Sequence, residues 1–457
     1  MVLRNLAKLP DLTMAHHLTI VGAGLAGSEA AWQAAEEGVK VLLFEMRPGV
    51  STPAHKSQYF AELVCSNSLG SDLQGSAPHL LKQELRNLSS FILCSADKHS
   101  VPAGAALAVN RELYGRDITE SLNSHPNITI KHSEIIEIPN NRPLIIATGP
   151  LTSESLAKKI SSLLGQDYLY FYDSLSPIVD RDSIDYSKTF FASRYGKGSD
   201  DYLNCPMNVE EYSRFVSELL SAKKVEFKEF EKPFNEKPIY FEGCVPIEEL
   251  ARRGEKTLAF GPMKPVGLAH PKTGESFHAV LQLRKENIEG SAYNLVGCQT
   301  KLTYSEQKRI FRLIPGLEKV EFFRYGAIHR NTYINSPGLL NPNLSLKGQS
   351  DLYFAGQIVG VEGYVESCAM GLIAGLVAAR KIRGESFTLP PRETAIGSLL
   401  SYVSAKQSGR FQPMNINFGL LSLDRIRIKN KKLRNKKIID RALESQRCWL
   451  EKSMLSC

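Results

Sequence analysis

Two cysteines stand in polar, turn-like surroundings that suit a reactive thiol. Cys65 lies in the run ELVCSNSL (62–69), and Cys244 lies in EGCVP (242–246), directly after a strand-like run. A nucleophilic thiol needs exposure and nearby positive charge, because the thiolate is the reacting form. Since a lone cysteine is more often a small buried hydrophobe, the alternative for each is a structural role. Their shared setting makes both candidates for nucleophilic catalysis.

The eight cysteines show no paired spacing. They stand at positions 65, 94, 205, 244, 298, 368, 448 and 457, which form neither a disulfide framework nor a C-x-x-C metal site. The sequence therefore predicts a reducing, cytoplasmic setting and no metal ion.

The elements that would position this chemistry begin with a strand, a glycine loop and a helix. The apolar run LTIV (18–21) leads into GAGLAG (22–27), an Ala-rich helical stretch follows, and VKVLLFE (39–45) reads as a second strand. This order is typical of a dinucleotide-binding βαβ unit. It predicts FAD or NAD(P); a structural relic without nucleotide and an S-adenosylmethionine site are the alternatives.

Each position of this motif has a physical reason. Gly22 permits a tight turn, Gly24 lets backbone approach a pyrophosphate, and Gly27 lets the helix pack closely on the strand. The helix N-terminus points free N–H groups at the phosphates. Glu45, at the end of the second strand, is placed to accept hydrogen bonds from a ribose.

The composition is that of a globular protein with two or three domains. The chain has 457 residues, 43% of them hydrophobic and 23% charged, which disfavours disorder. No apolar run is long enough to span a bilayer, and the first 17 residues do not resemble a signal peptide; we assign no role to residues 1–13. The net charge of +8 is concentrated between 425 and 441. That cluster suits either nucleic acid phosphates or a solvated helix face.

Two distant segments read as further parts of the nucleotide-binding domain. One is PLIIATGP (143–150), an apolar strand ending in a small-residue turn, and the other is DLYFAGQIVGVEGYVE (351–366), followed by a helix-like run over 368–380. The second segment resembles the second flavin contact of flavoproteins with two dinucleotide-binding folds. The predicted fold class is therefore α/β, with a Rossmann-like FAD-binding domain interrupted by a smaller α+β insertion domain.

The interruption divides the chain into three predicted parts. They are 1–199 (first FAD-binding segment), 200–334 (insertion) and 335–457 (second FAD-binding segment with the basic C-terminal region). Within the insertion, periodicity predicts helices over 209–222 and 301–314 and strands over 237–241, 278–283 and 293–296. A further helix runs to residue 402, and residues 411–419 are expected to be irregular.

Along nearly its whole length the chain resembles the folate- and FAD-dependent tRNA uracil-5-methyltransferases, the TrmFO family. The matching passages are 22–32, 45–48, 52–55, 60–69, 202–207, 241–244, 260–268, 329–332, 360–367 and 411–415. Small departures from the family pattern occur at Gly70, Asn110 and Cys298, none of which removes a proposed catalytic group.

The resemblance implies an activity and a cofactor. A one-carbon unit would pass from 5,10-methylenetetrahydrofolate to C5 of uridine 54 in the tRNA T-loop, with FAD as cofactor and NAD(P)H as reductant, giving 5-methyluridine. By resemblance Cys244 is the thiol that adds to uracil C6, and Cys65 acts as base at C5 or shields the flavin; the two roles could be exchanged. The implied cofactor-binding residues are Gly22, Ala23, Gly24, Leu25, Ala26, Gly27, Glu45, Arg47, Thr148, Gly149, Gly356, Gln357, Gly363 and Tyr364.

An RNA substrate would have to extrude its uridine and would bind through phosphate contacts. Candidates for that surface are Lys264, Arg284, Lys301, Arg324, Arg330 and the cluster 425–441, although a solvated surface role is the alternative for each. No membrane contact and no stable protein partner are expected.

Three other functions remain open from the sequence. One is the same chemistry on a ribosomal RNA uridine. Another is a wobble-uridine-modifying FAD protein, which we expect to need a longer chain with a C-terminal helical domain. The third is a non-catalytic flavin-binding RNA partner, which the two thiols argue against.

Overall fold

Two six-stranded sheets organise the chain. The computed structural model describes residues 17–52, 54–166, 169–196, 200–225, 240, 245–271, 273–406, 411–421 and 428–455, with backbone alone at 169–173, 329–330 and 453–455. The strands are β1 Leu18–Val21, β2 Val41–Glu45, β3 Ser68–Ser71, β4 Ser100–Val101, β5 Ala106–Val109, β6 Ile128–His132, β7 Leu144–Ile146, β8 Leu169–Ser174, β9 Ile178–Asp180, β10 Phe190–Phe191, β11 Tyr202–Met207, β12 Ala279–Lys285, β13 Ala292–Leu295, β14 Phe322–Arg324, β15 Ile328–Tyr333, β16 Ser345–Leu346 and β17 Gln349–Phe354. The helices are α1 Leu25–Glu36, α2 Ala77–Asn87, α3 Phe91–Lys98, α4 Arg111–Ser124, α5 Glu154–Leu164, α6 Val209–Ser221, α7 Ile247–Arg252, α8 Thr257–Phe260, α9 Tyr304–Phe311, α10 Tyr364–Ile382, α11 Ala395–Ser404 and α12 Lys431–Leu455.

The first sheet has the order β16-β17-β7-β1-β2-β6. All neighbours pair in parallel except β16 with β17. Strands β1, β2 and β7 are buried along their length and apolar except for Thr19 and Glu45, as is typical of strands covered on both faces. Because β17 pairs with β7, the late segment returns to the first sheet, and the predicted discontinuous α/β fold is confirmed.

Helices α1 and α10 pack against each other almost backbone to backbone. A Cβ at Gly371 would lie 2.2 Å from the carbonyl oxygen of Ala26, and one at Gly375 would lie 2.6 Å from that of Ala30. Only glycine fits these two positions. Because both helices are rich in small, apolar residues, the early segment that contains α1 and the late segment that contains α10 can pack closely in one nucleotide-binding domain.

The second sheet is antiparallel, with the order β10-β11-β12-β13-β9-β14. It has its own hydrophobic core, which includes residues from α6, α7 and α9. The predicted helix over 209–222 is α6, which begins with a capping box between Asn208 and Glu211. The predicted strand over 237–241 lies outside the described residues except for Tyr240.

The second sheet draws on chain from before the predicted insertion of 200–334. Strands β9 and β10 precede residue 200 and belong to this sheet, where β9 pairs with β13 and β10 pairs with β11. The predicted limit at residue 200 thus falls between two paired strands, β10 and β11. Strands β8 and β15 pair with each other on the path into and out of this sheet.

The basic cluster 425–441 continues into α12, where one face is docked and the other solvated. Ile438 and Ala442 are buried, whereas Lys431, Lys432 and Lys436 are exposed. Across the described residues, we find no helix with the length and apolar character needed to cross a membrane.

Candidate functional site

The glycine loop after β1 has a geometry that only glycine permits at two positions. Gly22 has φ of +101°, and a Cβ there would lie 2.7 Å from the carbonyl oxygen of Ala147. A Cβ at Gly27 would lie 1.7 Å from the carbonyl oxygen of Gly22. At Gly24, by contrast, no atom of the described chain lies within 4 Å of the Cβ position. The loop is therefore tightly packed at Gly22 and Gly27, whereas the space beside Gly24 is open.

The open side of the loop faces a cavity of about 550 Å³. Gly24 is the N-cap of α1, and no side chain caps the first turn, so its N–H groups are available to an anion. We call this the smaller cavity, to distinguish it from a larger one described below. Five predicted cofactor-binding residues line it, namely Gly22, Gly24, Glu45, Arg47 and Thr148. The uncapped helix N-terminus beside this open space suits the phosphates of a nucleotide.

Glu45 and Arg47 form a buried ion pair on the wall of the smaller cavity. The Glu45 carboxylate accepts from the N–H of Ala23 at 3.0 Å, from the N–H of Arg47 at 3.1 Å and from its Nε at 2.8 Å. Burial raises the pKa of Glu45, but the hydrogen bond and charge of Arg47 outweigh that effect, so its pKa lies below the usual range. A carboxylate has about four acceptor positions, so about one stays available to a ribose hydroxyl.

A larger cavity of about 1450 Å³ adjoins the smaller one, since Leu151 lines both. Cys65, Gln357, Gly363 and Tyr364 are on its wall. Gly363 is the N-cap of α10, which again has no side-chain cap. The two cavities are therefore neighbours, and each has on its wall the N-terminus of a helix without a side-chain cap.

The remaining predicted cofactor-binding residues shape the loops without lining either cavity. Ala23 and Ala26 are buried, Leu25 is half-buried, and Gly27 packs under Gly22. A Cβ at Gly356 would lie 2.7 Å from the Cβ of Ala26. Gly149 has φ of +65° and begins the short 3₁₀ turn 149–151.

The backbone around Cys65 is held from both sides of the molecule. The N–H groups of Cys65 and Ser66 donate to the Tyr364 hydroxyl at 2.8 and 3.3 Å. The carbonyl of Cys65 accepts from Arg324 at 2.9 Å and from Arg111 at 3.4 Å. These contacts fix the loop that carries the thiol, and the structure thus brings two of the predicted site residues, Cys65 and Tyr364, together.

Three arginines from separate elements surround this loop. Arg111 begins α4 and forms an ion pair with Glu286 at 2.8 Å. Arg284, on β12, donates from Nε to Asn67 at 3.0 Å, and Arg324 is on β14. Desolvation lowers the pKa of Arg284, and desolvation together with the charge of Arg111 lowers that of Arg324 to about 10.

Sequence analysis missed the role of these arginines. Arg284 is 7% exposed and hydrogen-bonded to Asn67, and it lines the larger cavity rather than the outer surface, so its contact with RNA stays a prediction. Its signal in the sequence was a cation within the apolar strand run AVLQLRK, where a buried charge requires partners. Lys301 is also engaged, with the hydroxyl of Tyr240 and with Glu249, each at 2.9 Å. The side chain of Arg330 lies outside the described part.

The described cysteines differ in their surroundings. Cys205, Cys298 and Cys368 are fully buried, and desolvation raises the pKa of each thiol, which makes them inert. Cys65 lines the larger cavity. The other predicted catalytic residue, Cys244, lies outside the described residues. The described chain resumes at Val245, and the N–H of Ile247 donates to the carbonyl of Gln299 at 2.7 Å, a residue on the wall of the larger cavity.

Comparison with known proteins identifies the family. The family described as "Glucose inhibited division protein A" matches residues 17–386. A Bacillus subtilis (strain 168) protein named methylenetetrahydrofolate–tRNA-(uracil-5-)-methyltransferase TrmFO is 54% identical over 428 residues, which cover 94% of this chain and 97% of the relative. This chain belongs to the TrmFO family. A TrmFO protein of Heliobacterium modesticaldum (strain ATCC 51547 / Ice1) is 55% identical over 438 residues, 96% of this chain and 99% of the relative.

Solved structures agree with the fold seen for this TrmFO family member. The form II crystal structure of Aquifex aeolicus GidA has a TM-score of 0.66 at 18% identity, covering 95% of this chain and 73% of that one. The form I crystal structure has the same TM-score at 17% identity. At this identity the likeness concerns the fold, and it confirms the predicted α/β class.

Proposed function

We propose that this chain transfers a one-carbon unit from 5,10-methylenetetrahydrofolate to C5 of a uridine in tRNA. The observation that carries the proposal is the position of Cys65 on the wall of the larger cavity, which shares Leu151 with the dinucleotide cavity. The name of the relatives, which match this chain over nearly their whole length, supports the same reaction. We further propose uridine 54 of the T-loop as the target, NAD(P)H as the reductant and the cytoplasm as the location.

FAD is the cofactor that the two cavities fit. Gly22, Gly24 and the first turn of α1 would hold its pyrophosphate, and Glu45 would hold a ribose. Gln357, Gly363 and the first turn of α10 would face the flavin. When bound there, FAD would supply electron transfer and carry the one-carbon unit beside Cys65.

The thiols act on the uracil ring. The Cys244 thiolate adds to C6, which forms a C–S bond and moves the electron pair to C5, so that C5 can attack the one-carbon unit. Cys65 then removes the proton from C5 while the bond between the one-carbon unit and the nitrogen of its carrier breaks, which leaves an exocyclic methylene group on C5. Hydride derived from NAD(P)H adds to this methylene group, the C5–C6 double bond re-forms, and the C–S bond breaks with return of the Cys244 thiolate. Conversion of the methylene group to a methyl group takes two electrons, and NAD(P)H is their source.

The role of Cys244 rests on the resemblance of residues 241–244 to the family, because Cys244 lies outside the described residues. Within the described chain, the N–H of Ile247 donates to the carbonyl of Gln299 on the wall of the larger cavity.

The decisive experiment supplies purified protein with methylene-labelled methylenetetrahydrofolate and NAD(P)H, together with unmodified tRNA in one reaction and unmodified ribosomal RNA in a parallel one. We expect a yellow protein that places label in the T-loop. Label in ribosomal RNA and none in tRNA would replace the proposal with its rival, and a protein that cannot be loaded with FAD would remove the cofactor assignment.

Cysteine variants test the assigned thiols. Cys65→Ala and Cys244→Ala should each lose transfer by at least about a hundredfold, because a covalent or proton-transfer step is lost. Cys94→Ala is the matched control, since that thiol is exposed on α3. Turnover at the wild-type level in Cys244→Ala would contradict its role as nucleophile.

A further inference from the structure

A stack of three aromatic rings leads from the core of the second sheet to the surface. The ring centroids of Tyr304 and Tyr325 are 4.7 Å apart at an interplanar angle of 17°, and those of Tyr325 and Phe322 are 4.9 Å apart at 13°. Phe322 in turn contacts the buried ring of Phe311. The outermost ring, Tyr304, remains 61% exposed. The stack is anchored in the core at one end and open to solvent at the other.

This stack adjoins the wall of the larger cavity. Arg324, immediately before Tyr325, donates to the carbonyl of Cys65 at 2.9 Å. A Cβ at Gly326, immediately after it, would lie 2.7 Å from the carbonyl oxygen of Leu175, which lines the same cavity. Both chain neighbours of the middle ring, Tyr325, therefore contact residues of the cavity wall.

The charges around Tyr304 suit a polyanion. Lys308, one turn further along α9, keeps 43% of its side chain exposed and forms a long ion pair of 3.7 Å with the exposed Glu321. Exposed Lys223 lies beside Thr303, whose N–H donates to the Lys223 carbonyl at 3.1 Å. The nearby carboxylate of Glu306 is paired with Arg309 at 2.7 Å. A phosphate next to a stacked base would find cations within reach.

We propose that the open face of Tyr304 stacks against a base of the RNA substrate next to the uridine that enters the larger cavity. The inference rests on the proposed function, because extruding one base leaves its neighbours unstacked. An aromatic ring can replace the lost stacking partner for any base, since every base presents a π-face. Tyr304 would thus hold the extruded conformation of the RNA rather than take part in the chemistry.

The experiment measures tRNA affinity without turnover and the transfer reaction with saturating folate and NAD(P)H. Tyr304→Ala and Tyr304→Leu should raise the Kd and the KM for tRNA by about 5- to 150-fold, the range for one base–aromatic stack. Tyr304→Trp should stay close to wild type because it keeps a stacking ring. Flavin content and kcat at saturating tRNA should be unchanged in all three.

Tyr186→Ala is the matched control. This tyrosine is also exposed and stacks on Phe191, with ring centroids 6.4 Å apart, but it lines a different cavity. Its tRNA affinity should equal that of wild type.

Three results would overturn the inference. They are wild-type tRNA affinity in Tyr304→Ala, a loss in Tyr304→Trp as large as that in Tyr304→Ala, and a dimer that Tyr304→Ala dissociates with no change in tRNA affinity. The last would assign the ring to a second copy of this chain. Wild-type protein that binds tRNA and transfers no label would refute the proposed function, while the Kd comparison would still decide the role of Tyr304.

Discussion

The two adjoining cavities are built in different ways. The smaller one takes its glycine loop, uncapped helix and Glu45–Arg47 ion pair from one short stretch, residues 22–47. The wall around Cys65 in the larger cavity combines α4, β12, β14 and α10 with the loop that carries the thiol. A local motif can thus specify cofactor binding, whereas the reactive thiol depends on long-range packing.

The two regions also differ in charge. In the smaller cavity Glu45 and Arg47 neutralise each other. Around Cys65, three guanidinium groups face the carboxylate of Glu286, so positive charge is in excess. Such surroundings favour anionic groups of a cofactor or substrate. The charges of the smaller cavity are thus balanced within the protein, whereas the positive charge around Cys65 would be balanced by an anionic group that binds there.

The largest expected effect comes from comparing two glycines of the loop, the tightly packed Gly27 and Gly24, which faces open space. Gly27→Ala should destabilise the protein by about 1–3 kcal/mol or more, because the added Cβ would lie 1.7 Å from a carbonyl oxygen, and should abolish FAD binding. Gly24→Ala should also lose FAD but keep the unfolding free energy of the apoprotein, since its Cβ meets open space. Flavin absorbance measures the FAD content of each variant, and urea unfolding measures its free energy of unfolding. Full flavin content in Gly24→Ala would show that the open space is not the cofactor's.

Arg324→Met tests the second region by itself. It removes donors from the carbonyls of Cys65 and Val64, and hydrogen bonds to charged groups contribute about 1.5–3 kcal/mol. We expect about a tenfold or greater loss of methyl transfer with normal flavin content. Arg116→Met, which changes an exposed arginine on α4, is the control. A parallel loss of flavin would mean that the two regions are not separable.

The smallest effect concerns pH. The pKa of Glu45 in the folded protein lies below its ordinary value of 4.5, so its contribution to stability is fully present above that pH and is lost as the pH falls through the folded pKa. Glu45→Gln should lower the free energy of unfolding by about 1–3 kcal/mol at pH 7. It should also make that free energy depend less on pH in the acid range. Urea unfolding between pH 3.5 and 7 measures this, with exposed Glu112→Gln as control. A free energy of unfolding that depends on pH as in the wild type would contradict this prediction.

Prediction from sequence succeeded where the signal was contiguous. The apolar runs and glycines predicted β1, α1 and β2 in order, and the small-residue helix after β17 was predicted as a partner of the same domain. The domain limit at residue 200 stays a prediction. The pairing of β10 with β11 across it could not be predicted, because strand pairing depends on contacts between segments and not on local sequence. The partners of Arg284 and Arg324 could not be predicted, because a cation in sequence does not reveal whether it faces solvent or a backbone carbonyl.

The sequence by itself determined the dinucleotide loop and the family, because each depends on residue types at short, fixed spacing. Only the tertiary structure decided that Tyr364, Arg111 and Arg324 hold the Cys65 loop and that the rings of Tyr304 and Tyr325 form a stack beside it. The physical reason is that these contacts join residues far apart in the chain, which meet only after both cores have packed.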